Sequence, residues 1–334
     1  MSLLTLTDVS LRMPALARRP LLDAVDLTVD RGEVVGLVGE SGSGKSLTAR
    51  AILGLLPPGA EVGGTIEVDG LDVLSAGRDD LRRLRSSQVS MVFQDPRAAI
   101  NPLRRIGDYL TESVRLARGG DGRAATARAL ELLEAVGLPD PVRHLRQFPH
   151  ELSGGMLQRV MIAGALMGDP SLLLCDEPTT ALDVTTQAEI VSILARLQAE
   201  QGLGMLFITH DLDLAGAICD RVYVMYAGRV VETARATELF ADPRHPYTAG
   251  LLASTPGVDR NHDRLVPVCG SPLSLLENPP GCAFAPRCDF AVDGLCANEP
   301  PALVQEGDRA VRCLRSAEIS PGRSARAHTV RSAR

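Results

Sequence analysis

The 334-residue sequence predicts an α/β fold with a mainly parallel core sheet, an antiparallel β edge, an inserted helical subdomain and a small cysteine-containing C-terminal segment. Three observations predict it. The apolar run Val34–Val38 leads through the glycine-rich stretch Gly39-Glu40-Ser41-Gly42-Ser43-Gly44-Lys45-Ser46 into a helical pattern from Leu47 to Leu56. Two further apolar strands, Leu172–Cys175 and Met205–Thr209, flank a helical pattern from Val184 to Ala199, the spacing of a right-handed crossover between parallel neighbours. Beyond Pro243 the composition changes, and from Pro267 proline, glycine and cysteine rise while helical periodicity fades.

The remaining elements follow in chain order. Leu4–Leu11 and Leu22–Val29 alternate as strands, and Arg31-Gly32-Glu33 turns the chain into the strand before the glycine-rich loop. Thr65–Val68 is a short strand before the Asp69-Gly70 turn, and Val89–Phe93 is another that ends at Gln94. From Ile106 to Val136 the pattern is helical, rich in Ala, Leu, Glu and Arg, with one break at Gly119–Gly122; this is the inserted subdomain, about residues 96–168. Ser153 is placed as the N-cap of a helix over Met156–Met167, preceded by Gly154-Gly155 and ended by Asp169-Pro170. Asp183 caps the next helix, and Arg221–Tyr226 with Arg229–Glu232 form a closing hairpin around Ala227-Gly228. The expected division is 1–235, 236–318 and a disordered tail over 319–334.

Composition narrows the class. With 45% hydrophobic residues the chain can bury a sizeable core, and a net charge of −6 argues against a basic nucleic-acid-binding face. No stretch approaches 18 uninterrupted apolar residues and no leader pattern opens the chain, so the expectation is a cytosolic protein that meets a membrane through a partner. Seven cysteines are too few for a disulfide scaffold, which places the chain in a reducing compartment. Cys282, Cys288, Cys296 and Cys313 crowd near the C-terminus, whereas Cys175, Cys219 and Cys269 read as packing residues.

The chemistry starts at Gly39–Ser46. Taken alone, the stretch could be a simple strand-to-helix turn. It also matches G-x-x-x-x-G-K-[ST], in which glycines let backbone N–H groups face a phosphate and the following helix directs its positive end there. Lys45 is the only lysine among 35 basic residues, and a guanidinium cannot replace a compact ammonium inside such a loop. Lys45 then reaches β- and γ-phosphates and Ser46 a Mg²⁺ ion. Asp176-Glu177 and His210 sit at the tips of the two crossover strands, beside this loop. An Asp-Glu pair is commonly a solvated helix start, but here a buried strand feeds it.

In their order and identity these motifs resemble the ATP-binding subunits of ABC transporters, a P-loop NTPase fold, over nearly the whole chain to about Leu314. Gly39–Ser46 resembles the Walker A loop, Gln94 in Val92-Phe93-Gln94-Asp95-Pro96 the Q-loop, and Leu152-Ser153-Gly154-Gly155-Met156 the signature. Leu172–Asp176 resembles Walker B, Ala181-Leu182-Asp183 the D-loop, and His210 the switch histidine. The resemblance implies ATP on Gly39–Leu47, with Mg²⁺ held by Ser46, Gln94 and Asp176. It implies catalytic roles for Glu177, which polarises water, for His210 at the γ-phosphate, and for Gln94. It further implies two subunits facing head to tail, with Ser153, Gly154, Gly155 and Gln158 serving the partner's nucleotide. The family's adenine-stacking aromatic falls at Met13 here, and Leu157 stands where a polar residue is common.

Within the family, the signature, the run from Phe93-Gln94-Asp95-Pro96 to Asn101-Pro102, His245-Pro246-Tyr247-Thr248, and the tail with Pro286-Arg287-Cys288 resemble dipeptide and oligopeptide permease ATPases. That implies a second, unlike ATPase subunit, two transmembrane permease subunits, an extracytoplasmic solute-binding protein, no nucleic acid, and a peripheral place on the cytoplasmic face of the cell membrane. Importers of nickel or other small solutes share much of this pattern. Soluble ABC proteins that act on ribosomes or DNA usually carry two ATPase halves or a long coiled coil, and this chain has one motif set. For the C-x₅-C-x₇-C-x₁₆-C cysteines, a [4Fe–4S] cluster, Zn²⁺ and unliganded thiols remain three readings, the wide spacing suiting zinc less well.

Overall fold

Period-two alternation along the central strands divides their side chains between two cores. The computed structural model describes residues 2–17, 19–118, 122–180, 182–254 and 268–319. β1 (Ser2–Arg12) and β2 (Leu22–Asp30) pair antiparallel, and β3 (Val34–Val38) delivers the glycine-rich loop to α1 (Lys45–Ile52). β4 (Glu61–Val68) returns along β1, and β5 (Leu71–Asp72) completes a four-stranded antiparallel sheet in the order β2-β1-β4-β5. After α2 (Arg78–Ser87) and β6 (Val89–Val92) comes the helical subdomain: α3 (Pro96–Ala99), α4 (Ile106–Arg118), α5 (Gly122–Ala135), α6 (Pro141–Arg146) and α7 (Gly154–Leu166). The chain then runs through β7 (Leu172–Asp176), α8 (Val184–Gln201), β8 (Gly204–Thr209), α9 (Leu212–Ile218), β9 (Arg221–Tyr226), β10 (Arg229–Arg235), α10 (Ala236–Ala241) and α11 (Pro246–Ser254). Two short strands, β11 (Val304–Glu306) and β12 (Arg309–Val311), follow.

The second sheet has the order β11-β12-β10-β9-β3-β8-β7-β6, parallel from β9 to β6 and antiparallel beyond. Val35, Leu37, Leu174, Leu206 and Ile208 face one core, shared with α1 and the antiparallel sheet. Val34, Val38, Leu173, Cys175, Met205 and Phe207 face the other, shared with Leu110 of α4, Leu133 of α5, Val160 of α7 and Ile190 of α8. Burial on both faces is why these strands read as continuous apolar runs rather than alternating ones. Truncating a fully buried side chain such as Leu174 to alanine costs about 2–5 kcal/mol.

Several boundaries differ from the sequence expectation, for local reasons. α1 stops at Ile52 instead of reaching Leu56, because Gly54 turns left-handed at φ 63°. β4 starts at Glu61 rather than Thr65, since pairing with β1 continues across Gly63 and Gly64, which carry no side chains to betray a strand. Gly64 has φ 85°, and a Cβ there would stand 2.4 Å from the Asp8 carbonyl oxygen. β10 runs on to Arg235, and α7 begins at Gly154, capped by Ser153. The expected glycine break at 119–122 falls outside the described residues except for Gly122, which already belongs to α5, and so does the expected tail apart from Ile319, which is buried. β12 pairs with β10 through Glu232 and Val311, so the C-terminal unit extends the core sheet. Among the described residues no helix is long and apolar enough to cross a membrane.

Candidate nucleotide site

The loop between β3 and α1 is shaped by close backbone approach. Gly39 has φ 150°, and a Cβ there would lie 2.2 Å from the Met225 carbonyl oxygen; Gly44, at φ 109°, starts α1 from a left-handed conformation. Lys45 is 5% exposed, and its Nζ donates to the carbonyls of Gly39 at 2.8 Å and Glu40 at 3.0 Å. Burial lowers its pKa, opposed by the carboxylates of Glu177, Asp176 and Glu40. The ammonium is thus held among carbonyls and acids, a cation that an anionic ligand can claim.

Asp176 ends β7 and is buried, accepting from Ser46 Oγ at 2.8 Å. Desolvation raises its pKa, and neighbouring Glu177 adds to the effect. A buried carboxylate penalised in this way, joined to a serine hydroxyl, is a fitting seat for a divalent cation. Glu177 follows with a left-handed φ of 47°, its N–H bonded to the Ile208 carbonyl at 3.0 Å. This backbone aims the side chain away from the core: Oε2 accepts from Gln94 Nε2 at 3.0 Å and from Thr180 Oγ1 at 3.0 Å, and His210 Nδ1 lies 3.3 Å away. Gln94 follows β6 and His210 follows β8, both neighbours of β7. Parallel strands therefore bring three distant segments to one sheet edge, at the carboxyl ends of the strands.

Gln94, Glu177 and His210 line a cleft of about 880 Å³ with Glu40–Leu47, Arg19, Leu21, Tyr226, Ala227 and the C-terminal residues Pro272–Leu275, while Asp176 lies buried behind Ser46. Met13, expected at the base contact, does not line it and instead packs, partly buried, on the core shared with the antiparallel sheet. Arg19 and Pro272–Leu275 escaped the sequence reading. Arg19 is 6% exposed and donates to the carbonyls of Ala227 and Ser274, contacts with no short-range signal in the chain.

Residues 22–180 match the family described as ABC transporter, and residues 231–296 match that described as Oligopeptide/dipeptide transporter, C-terminal region. The oligopeptide transport ATP-binding protein OppD of Haemophilus influenzae is 44% identical over 294 residues, 88% of this chain and 91% of that protein. The chain belongs to the ABC transporter ATP-binding family. OppD of Mycobacterium tuberculosis is 47% identical over 303 residues, 90% of this chain but 49% of that protein, so the chain spans about half the length of such relatives. Among solved structures, an ATP-binding cassette dimer in a post-hydrolysis state bound to ADP and Pi matches with TM-score 0.62 and 29% identity, covering 70% of this chain and 98% of that one.

In this ABC cassette, the signature residues Ser153, Gly154 and Gly155 do not line the cleft formed by the chain's own Walker A loop. Ser153 Oγ caps α7, accepting from Met156 N at 3.3 Å. Gly155 has a local reason, since a Cβ there would lie 2.8 Å from the Thr186 methyl; at Gly154 a Cβ would meet nothing. Gln158 departs from the expectation that it faces a partner's nucleotide. It is 2% exposed, and its amide donates to the Pro178 carbonyl at 2.7 Å, tying α7 to the turn after Walker B. Leu157 is buried in the core, which accounts for its apolar character. Ala181 of the D-loop lies outside the described residues, while Asp183 caps α8 through Thr186 N at 3.0 Å.

Cys282, Cys288, Cys296 and Cys313 converge on one small cavity with Phe284, Phe290 and His245. Burial raises the thiols of Cys282, Cys313 and Cys288, the last to about 11. The segment is wound tightly, with Cys282 N bonded to the Cys296 carbonyl at 2.8 Å and Gly281 so close that a Cβ would lie 2.4 Å from that carbonyl oxygen. Among the described residues no three His, Cys, Asp or Glu side chains are grouped to hold a single metal ion. Cys175 and Cys219 are buried as expected, whereas Cys269 is exposed and its carbonyl accepts from Arg287 Nε at 2.8 Å.

Proposed function

We propose that the chain is the ATP-hydrolysing subunit of a peptide importer, on the cytoplasmic face of the membrane, working with a second, unlike ATPase, two permease subunits and a solute-binding protein. The observation that carries the enzymatic part is the convergence on Glu177 Oε2 of Gln94, Thr180 and His210 in the cleft that holds Lys45. The OppD names of the relatives and the match over residues 231–296 support peptides as cargo ahead of nickel or another small solute.

In this reading the Gly39–Leu47 loop binds the phosphates of ATP, and Lys45 exchanges its carbonyl partners for β- and γ-phosphate oxygens. Ser46, Asp176 and Gln94 hold Mg²⁺, which when bound neutralises phosphate charge. Glu177 orients and polarises the attacking water, and His210, with its side chain 62% exposed, turns from Glu177 toward the γ-phosphate. The open start of α7 at Ser153, Gly154 and Gly155 serves the nucleotide of the facing subunit. For the four cysteines a [4Fe–4S] cluster stays a proposal carried by their common place around one small cavity, since among the described residues no His, Cys, Asp or Glu group is arranged to hold a metal ion.

Purification of the full chain from membranes tests the reading. Permease subunits and a second ATPase should co-purify, and the reconstituted complex should hydrolyse ATP faster when a peptide-loaded binding protein is added. A complex stimulated by nickel-loaded but not by peptide-loaded binding protein would shift the cargo to the metal.

A further inference from the structure

We infer that Arg287, from the cysteine-bearing C-terminal unit, is a positioning residue for the nucleotide: it neutralises Glu40 and holds the Walker A loop in its binding shape. Glu40 is the second residue of that loop, and a carboxylate beside a triphosphate opposes binding unless its charge is cancelled. The Arg287 guanidinium meets it in a fork, Nη1 to Oε2 at 2.7 Å and Nη2 to Oε1 at 2.9 Å. A fork of this kind fixes direction as well as charge.

Arg287 is itself immobilised. Its side chain is 5% exposed, its Nε donates to the Cys269 carbonyl, and its guanidinium lies 5.7 Å from the ring centres of both Tyr226 and Phe284. The sequence has four tyrosines and six phenylalanines, and three of these ten gather here, Tyr226, Tyr247 and Phe284, with centroids 4.7–5.3 Å apart. Tyr247 is fully buried, and its hydroxyl accepts the backbone N–H of Glu40 at 2.8 Å. All the polar groups of Glu40 are thereby engaged: N–H to Tyr247, carbonyl to Lys45, carboxylate to Arg287. Arg287 also lies next to Cys288, so the state of the cysteine cavity and the shape of the phosphate loop share one rigid turn.

The proposal is tested by Mg·ATP binding to the full-length chain, by calorimetry, together with ATP hydrolysis by the assembled complex. Arg287→Gln should weaken Mg·ATP binding and raise KM by about tenfold or more while leaving kcat at saturating ATP nearly unchanged. Arg287→Lys should retain most of the affinity, and Glu40→Gln alone should weaken binding less than Arg287→Gln does, because it loosens the fork without leaving an unpaired charge. The combined Glu40→Gln/Arg287→Gln variant should recover to within about threefold of the parent, because the unpaired carboxylate has gone. Parental affinity in Arg287→Gln overturns the proposal. So does a double variant as weak as Arg287→Gln, since the loss would then come from damaged packing rather than from an exposed charge.

Discussion

Gln94 and Glu177, 83 positions apart in sequence, share a hydrogen bond of 3.0 Å between the amide Nε2 and the carboxylate Oε2. The bond links the start of the helical subdomain to the end of Walker B. Any movement of that subdomain relative to the core sheet is therefore felt at the carboxylate assigned to water activation.

Glu177→Gln should retain ATP binding and lower kcat by about 10²–10⁴-fold, because an amide fills the same space between Thr180 and His210 but cannot polarise water. Lys45→Ala should instead weaken ATP binding, by about two orders of magnitude, through loss of the loop's central cation. Binding and single-turnover hydrolysis separate the two. Near-parental turnover in the glutamine variant would remove Glu177 from its assigned role.

The isolated chain should be a poor ATPase, because the α7 start at Ser153 lies outside its own cleft. Adding the partner ATPase should raise the rate sharply, and Ser153→Arg should block that rise without weakening ATP binding to the isolated chain. Full activity in a sample shown by light scattering to be monomeric would falsify the shared site.

Anaerobically purified protein should be brown and carry about four iron atoms per chain. Serine at Cys282, Cys288, Cys296 or Cys313 should remove the colour and open residues 268–319 to proteolysis. One zinc in colourless protein would select the other metal, and a protease-resistant segment without metal would leave the thiols as packing groups.

Acidification should act through His245. Burial lowers its pKa from 6.5 to about 3, with Arg312 nearby and Glu232 accepting its backbone N–H. The unfolded chain takes up this proton near pH 6.5 and the folded chain only near 3, so the contribution to stability is complete above 6.5 and is lost progressively as pH falls through that window. His245→Asn keeps an acceptor for Tyr247 N while removing the titration. Its denaturation midpoint should fall less between pH 7 and pH 5 than that of the parent, and equal falls would count against the assignment.

The core sheet was readable because strands buried on both faces declare themselves as apolar runs, the positions of Asp176, Glu177 and His210 because they stand at or just beyond the ends of two such runs, and Lys45 because the glycine-rich motif after a third places it at a helix start. Gln158 was misread: helical periodicity from Ser153 does not reveal that its amide turns inward to the Pro178 carbonyl. The first half of β4 stayed hidden behind Gly63 and Gly64, whose missing side chains erase the alternation. Arg19, Tyr247 and Arg287 were invisible as site residues, since their partners lie some 207 to 255 positions away and no local pattern encodes such a pairing.

The fork between Glu40 and Arg287 spans 247 positions, and this separation sets an order of events during synthesis. At roughly 5–20 residues per second, the Walker A loop leaves the ribosome on the order of ten seconds or more before the arginine that neutralises it exists. Through that interval the nascent chain carries an acidic, unclamped phosphate loop. If Arg287 acts as proposed, the loop's hold on nucleotide reaches full strength only when the chain is nearly complete, and a truncated product that ends before Arg287 should bind ATP more weakly.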